Sequence, residues 1–393
     1  MTKIIKLVEE KQMCSLPWVH AYLSFHNDSI KPCCHYRNEV GKISNGLTKE
    51  WFNSSSNDLR ENWIQNMPPQ NCVACDVDAQ SFSYKKWKNF SYSKNFTFLE
   101  TVDIEYPQLP SVFHINLKNT CNLSCRMCSP VNSSKIFQLV KRVPELEQYL
   151  HQTMPSKKIN IDLLNGSFKN AEIVLFTGGE PMLDDDILSI INMMKNESRN
   201  LSSVSVTTNM TVINNDILMA LDSLDARIDI SISIDGPSHI QEYIRHGIKW
   251  KEMIENFIYI QQKFPKFKFS VNTTVSILTV GYLTDTIEVI KELQKELNIK
   301  FEWLMTSPVT DKKFLHPGIL PDIVKKNYIN KIESYMNSES ISGCQKLLNT
   351  ALEMLSSKID CEIGSFVDYI NKFDSAAKTD ILEVYPEFES IFK

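Results

Sequence analysis

Ser111-Val-Phe-His-Ile-Asn-Leu-Lys118 runs directly into Asn119-Thr-Cys-Asn-Leu-Ser-Cys-Arg-Met-Cys-Ser129, so an apolar, strand-like segment delivers three cysteines in one loop. Three thiolates leave a tetrahedral zinc ion one ligand short, and a zinc site here would have to borrow His114 or another residue. The same three thiolates hold a four-iron cube at three corners and leave one iron open to a small molecule.

Outward from that loop, short β-branched runs alternate with longer helical ones, the signature of repeating βα units with a parallel sheet. Strands are predicted at Val112–Lys118, Glu172–Thr177, Ser203–Thr208, Arg227–Ile234, Lys268–Val275 and Lys300–Met305. Helices are predicted at Ser133–Lys141, Asp185–Asn196, Asn215–Ser223, Trp250–Lys263 and Tyr282–Leu297. An eight-unit barrel takes about 250 residues. The shorter span here suits an α/β partial (β/α)6 barrel, placed at residues 108–307. A helical C-terminal region covers 308–393 and reads as a cap. Active sites in such folds gather at the carboxyl ends of the strands. The cysteine loop, Thr177-Gly-Gly-Glu-Pro181, Thr207-Thr-Asn209 and Ser233-Ile-Asp-Gly236 all follow strand ends.

The spacing Cys-x3-Cys-x2-Cys after the first strand, with Gly-Gly-Glu-Pro after the second, resembles the radical S-adenosylmethionine (radical SAM) superfamily over residues 111–305. The resemblance implies a four-iron, four-sulfur cluster on Cys121, Cys125 and Cys128, with S-adenosylmethionine chelating the fourth iron. Reduction would then cleave the cofactor to methionine and a 5'-deoxyadenosyl radical that abstracts hydrogen from a substrate. Gly178, Gly179 and Glu180 would hold the methionyl amine, since glycines permit close backbone approach and a carboxylate accepts from an ammonium group. Thr208, Asn209, Ser233 and Asp235 resemble polar contacts to ribose and carboxylate. Arg245 matches an arginine that pairs with the cofactor carboxylate in peptide-modifying members, a task suited to a bidentate guanidinium; otherwise it is a solvated surface residue. Asn272 and Thr274 on the fifth strand are further candidates.

Residues 1–100 are aromatic-rich, irregular and loaded with cysteine. Cys14-Ser-Leu-Pro-Trp18, Ile30-Lys-Pro-Cys-Cys34, Gly41-Lys-Ile43 with Trp51, and Asn71-Cys-Val-Ala-Cys75 resemble the framework of twitch or SPASM auxiliary-cluster modules. The resemblance implies a second iron-sulfur cluster on Cys14, Cys33, Cys72 and Cys75, with Cys34 the rival of Cys33. In better-known members that module follows the barrel, whereas here it precedes it. A four-cysteine zinc site satisfies the same spacing. The histidines near these cysteines, His20, His26 and His35, read as surface or hydrogen-bonding residues, and Cys344 and Cys361 are assigned nothing.

The chain of 393 residues has 23% charged residues and a net charge of −5, which provides no global basic field for nucleic acid. The amino terminus lacks the apolar core of a signal peptide and no run of about 18 apolar residues appears, so no membrane association and a cytoplasmic location are expected. Eight of the ten cysteines precede residue 130 in tight groups, which in a reducing compartment points to metal or cluster binding. The expected partners are a reductant such as flavodoxin or ferredoxin and a peptide or small-molecule substrate. A non-catalytic iron-sulfur or zinc scaffold is the reading from another class; it would have no need of the Gly-Gly-Glu and Arg245 positions.

Overall fold

β3 (Val112–Asn116) is the strand that feeds the cysteine loop, and the chain that precedes it has already built two more. β1 (His20–Ser24) and β2 (Ser29–Lys31) form an antiparallel pair, with Leu23 opposite Ile30. β1 then runs parallel to β3, from His20 opposite Val112 to Ser24 opposite Asn116. The computed structural model describes residues 14–65, 67, 69, 72, 103, 106–150, 159–338 and 343–393.

The remaining strands are β4 (Ile173–Thr177), β5 (Ser203–Thr208), β6 (Arg227–Ser233), β7 (Lys268–Val275) and β8 (Phe301–Pro308). All six strands read from the sequence are present, with boundaries moved by up to three residues. The main helices are α1 (Ser54–Ile64), α2 (Ser134–Arg142), α3 (Ile187–Glu197), α4 (Asn215–Asp222), α5 (Ser238–Ile244), α6 (Trp250–Lys263), α7 (Leu283–Glu296), α8 (Asp322–Ser338), α9 (Gln345–Ser356) and α10 (Ile363–Ala377). Local chemistry sets several starts: the Asn53 side chain accepts from Ser56 N at α1, Ser133 from Ile136 N at α2, and Asn214 from Ile217 N at α4.

The chain divides into two compact units, the first made of residues up to 118, 155–206 and 214–229, the second of 119–154, 207–213 and 230–393. In the first, the strand order is β2-β1-β3-β4-β5, followed by the opening residues of β6. The pairs β3·β4 and β4·β5 are parallel, with His114 opposite Leu175 and Val174 opposite Val204. One face of this sheet is fully packed: Ala21, Leu23, Phe113, Ile115, Val174 and Phe176 have no exposure. On the other face Tyr22, His114, Asn116, Leu175 and Thr177 are half-buried, as the period-2 alternation of a strand dictates.

Within the cysteine-rich N-terminal region, β1 continues the sheet directly. Trp51 Nε1 donates to the Gln108 carbonyl at 2.7 Å, and Arg60 Nε donates to the Pro17 carbonyl at 2.9 Å. The reason is apolar content: β1 carries Ala21 and Leu23, and burying them on the packed face of β3 removes more apolar surface from water than a two-stranded hairpin does alone.

In the second unit the order is β6-β7-β8, with β7 and β8 parallel and a register shift between Phe269 and Val271. Its core joins Leu139 of α2, Ile244 of α5 and Leu283 of α7 to Leu348 of α9 and Phe366 and Phe373 of α10. The C-terminal helices therefore share the hydrophobic core of this unit. Among the described residues, no helix is long and apolar enough to cross a membrane.

Candidate active site

The cysteine loop is fixed by its own backbone and by α2. Ser134 N donates to the Asn119 carbonyl at 2.6 Å, Ser133 Oγ to the Leu123 carbonyl at 2.7 Å, and Cys128 N to the Cys125 carbonyl at 2.9 Å. Its middle is tied to the end of α5, where Ser124 N and Arg126 N donate to the carbonyls of His246 and Ile244 at 3.0 and 2.8 Å. Cys121, Cys125 and Cys128 are all half-buried. Burial pushes the Cys125 thiol up, the Arg245 charge works in the opposite direction, and the neighbouring Cys128 and Cys121 add to the upward shift. Cys125 therefore senses both other thiols, which is costly for bare thiolates and suits a cationic iron cluster. Among the described residues no group of three or more His, Cys, Asp or Glu is arranged to hold a single metal ion.

Asp235, fully buried, and Arg245, half-buried, form an ion pair. Arg245 Nε donates to Asp235 Oδ2 at 2.7 Å, while Asp235 Oδ1 accepts from Thr274 N and Thr274 Oγ1, both at 2.8 Å. Burial opposes the Arg245 charge, but Asp235 and then the Cys125 and Cys128 thiols more than offset it and hold the guanidinium firmly protonated. Arg245 is thus no solvated surface residue. Asp235 uses both oxygens within the protein, so its first task is to orient Arg245. Gln241, which carries no local motif, locks the turn: its Oε1 accepts from Asp235 N and its Nε2 donates to the Ser233 carbonyl, each at 2.8 Å.

Asn209 also works inside the protein. Its Nδ2 donates to Asn122 Oδ1 at 3.1 Å, its Oδ1 accepts from Thr211 N and Oγ1, and Asn122 Nδ2 donates to Thr211 Oγ1 at 2.8 Å. This triangle ties the end of β5 to the residue beside Cys121. Thr208 Oγ1 accepts from Met210 N at 3.0 Å and so shapes the same turn. On β7, Thr274 Oγ1 and on the following turn Ser276 Oγ lie 3.2 and 3.1 Å from Met127 Sδ, between the second and third cysteines. Asn272 Oδ1 accepts from Ser307 Oγ at 2.7 Å.

Gly178 lies in the first unit, at the end of β4, with φ of +126°. A Cβ there would sit 2.8 Å from Leu117 N and 2.9 Å from Leu117 O, so the absent side chain makes room for the protein's own β3 extension. Gly179 N donates to the Lys118 carbonyl at 3.1 Å. Glu180 is 1% exposed and accepts from Met182 N at 3.1 Å, capping the turn at Pro181–Leu183.

Among the N-terminal cysteines, Cys14, Cys33 and Cys72 are half-buried and Cys34 is exposed, while Cys75 lies outside the described residues. The Tyr36 hydroxyl is raised by burial and then by Cys72 and Cys33, whereas the Tyr22 hydroxyl is raised by burial, lowered in part by its bond to Asn116, and raised further by Cys34. Adjacent Cys33 and Cys34 thus face different surroundings. His20 is buried against the Pro32 carbonyl, 2.8 Å from its Nδ1.

Residues 115–297 match the model of the radical SAM superfamily. That match covers a little under half of the chain. The cofactors of that superfamily are a four-iron, four-sulfur cluster and S-adenosylmethionine, and the donor set of Cys121, Cys125 and Cys128 fits the cluster. The chain is 25% identical over 196 residues to the GTP 3',8-cyclase of Aquifex aeolicus, a match covering 49% of this chain and 55% of the cyclase. The chain thus spans about half the length of that relative. An uncharacterised protein of Methanocaldococcus jannaschii is 26% identical over 230 residues, 56% of this chain and 72% of the relative. A solved structure described as "Native anSMEcpe with bound AdoMet" aligns with a TM-score of 0.42 and 17% identity over 61% of this chain and 62% of that one.

Proposed function

We propose that the chain is a radical SAM enzyme whose cluster is held by Cys121, Cys125 and Cys128 and whose cofactor carboxylate is met by Arg245. When bound, the cluster and S-adenosylmethionine supply reductive formation of a 5'-deoxyadenosyl radical, which abstracts hydrogen from the substrate. The observation that carries the reading is the Asp235–Arg245 pair, shielded from solvent on the Asp235 side, acting on Cys125 and Cys128 inside the matched segment. With Nε taken by Asp235, the two Nη groups are the part of the fork left for a carboxylate. Gly178, Gly179 and Glu180 form the amine-binding turn, and Thr208, Asn209, Ser233 and Asp235 are the polar contacts to ribose and carboxylate.

The substrate is a peptide or protein side chain that is oxidised or cross-linked. This rests on the likeness of the Ser233-Ile-Asp-Gly-Pro237 to Arg245 stretch to peptide-modifying members. Chemistry on a small metabolite is the second reading, favoured by the cyclase relative, whose name specifies a nucleotide. Residues 1–100 serve as an auxiliary-cluster module on Cys14, Cys33, Cys72 and Cys75; the joint action of Cys33 and Cys72 on Tyr36 supports Cys33 over Cys34. Residues 108–307 are the catalytic region and 308–393 its helical support, and a cytoplasmic flavodoxin or ferredoxin supplies the electron.

Anaerobic reconstitution followed by iron and sulfide counting tests the cluster content. Two four-iron clusters give about eight irons per chain, whereas about four irons with one zinc ion overturn the auxiliary cluster alone.

A further inference from the structure

Arg126 sits between the second and third cysteines of the loop, and its side chain has no exposure at all. Its guanidinium lies 3.5 Å from the centre of the Tyr243 ring and 4.7 Å from that of Phe373. Nη1 donates to the Tyr243 carbonyl, and Nη2 donates to Asp374 Oδ1 on α10 and to Thr379 Oγ1, the latter at 2.6 Å. The Asp374 carboxylate also accepts from Tyr243 Oη at 3.0 and 3.1 Å and from Thr379 Oγ1 at 2.9 Å. The backbone of the same residue is held as well: Arg126 N donates to the Ile244 carbonyl at 2.8 Å, and Tyr369 Oη donates to the Arg126 carbonyl at 2.7 Å.

We propose that the Arg126–Asp374 pair is a positioning device for the cluster, through which α10 fixes the loop segment between Cys125 and Cys128. The proposal rests on the reading of those cysteines as cluster ligands. A buried ion pair is a poor source of stability, because apolar residues of similar volume hold a core as well or better. What a guanidinium adds is direction, since its planar fork meets fixed acceptors in a fixed geometry. Arg126 Nε has no hydrogen-bond partner, so the arrangement even carries an uncompensated polar group. The turn that receives Arg126, at Tyr243 and Ile244, leads directly into Arg245, which pairs with Asp235 and acts on Cys125 and Cys128. One helix end thus carries both the anchor of the loop and the cation beside its thiols, and the tilt of the loop and the placement of Arg245 are set together. Groups that orient ligands from behind tune the bound metal as well as its retention.

The test is Asp374→Asn and Tyr369→Phe in the full-length chain, reconstituted anaerobically beside the unaltered protein. The readouts are the electron paramagnetic resonance spectrum of the reduced cluster, its midpoint potential, the rate of iron loss to a chelator, and thermal unfolding. Asp374→Asn should shift the spectrum and potential and weaken iron retention by roughly 10- to 100-fold. Tyr369→Phe removes one hydroxyl and should weaken retention by roughly 2- to 10-fold, with folding intact. If Asp374→Asn does not fold, Tyr369→Phe decides. Unaltered spectrum, potential and retention in the folded variants would overturn the positioning role. Failure of the unaltered chain to take up a cluster would instead overturn the underlying reading of the three cysteines.

Discussion

Replacing Gly178 with alanine separates two reasons for a glycine in a Gly-Gly-Glu turn. If the glycine serves only the approach of a ligand, alanine will impair cofactor binding and leave folding unchanged. The geometry predicts a folding defect. At φ of +126° a side chain is strained by about 1 to 3 kcal/mol. The new Cβ would also lie 2.8 Å from Leu117 N, and that amide is committed to the Thr177 carbonyl at 2.9 Å. Relieving the contact by moving Leu117 loses a hydrogen bond of about 0.5 to 1.5 kcal/mol net. The expected destabilisation is therefore about 2 to 4 kcal/mol. Urea unfolding followed by the fluorescence of Trp18 and Trp51, both buried in the same unit, reads the effect. Gly364→Ala is the control, since its Cβ meets nothing within 4 Å near the start of α10 and the change should be neutral or mildly stabilising. A Gly178→Ala protein that unfolds at the original urea concentration would show that the glycine does not serve the packing of Leu117.

Asp235→Asn strands the Arg245 charge and should cost about 3 to 5 kcal/mol of stability, most of which Asp235→Asn/Arg245→Met should restore; a thermal denaturation series checks both variants. Acid sensitivity follows from His20, which burial depresses from 6.5 to about 4 while its bond to Pro32 partly opposes the shift. The unfolded chain binds the proton more readily, so the contribution is complete above pH 6.5 and is lost as the pH falls toward 4, by up to about 1.4 kcal/mol per pH unit. His20→Asn should flatten the fall of the unfolding midpoint across that window; an unchanged slope would show that other groups govern it.

The strand periodicity made the sheet legible in advance. Residues such as Ile173 to Thr177 and Arg227 to Ser233 have few alternatives to a buried strand once helical segments flank them. The parallel course of β1 was not legible, because an isolated run such as His20–Ser24 does not disclose which edge it will join. Among the site residues, the spacing of Cys121, Cys125 and Cys128 is visible in the sequence, but the pairing of Arg245 with Asp235 is not. The partners inside the protein could not be read either: the oxygens of Asp235 and Asn209 bind Thr274, Arg245 and Thr211. Gln241, Asn122 and Asp374 gave no local signal at all, since each acts on a residue that the fold brings near and the sequence does not.

Whether the three cysteines hold a radical-forming cluster is read by incubating the reconstituted full-length chain with S-adenosylmethionine and a strong reductant, without oxygen, and measuring 5'-deoxyadenosine. The unaltered protein should form it, and Cys121→Ala, Cys125→Ala and Cys128→Ala should not. A fully iron-loaded chain that forms none, or a Cys125→Ala variant that forms as much as the original, would contradict the cluster reading.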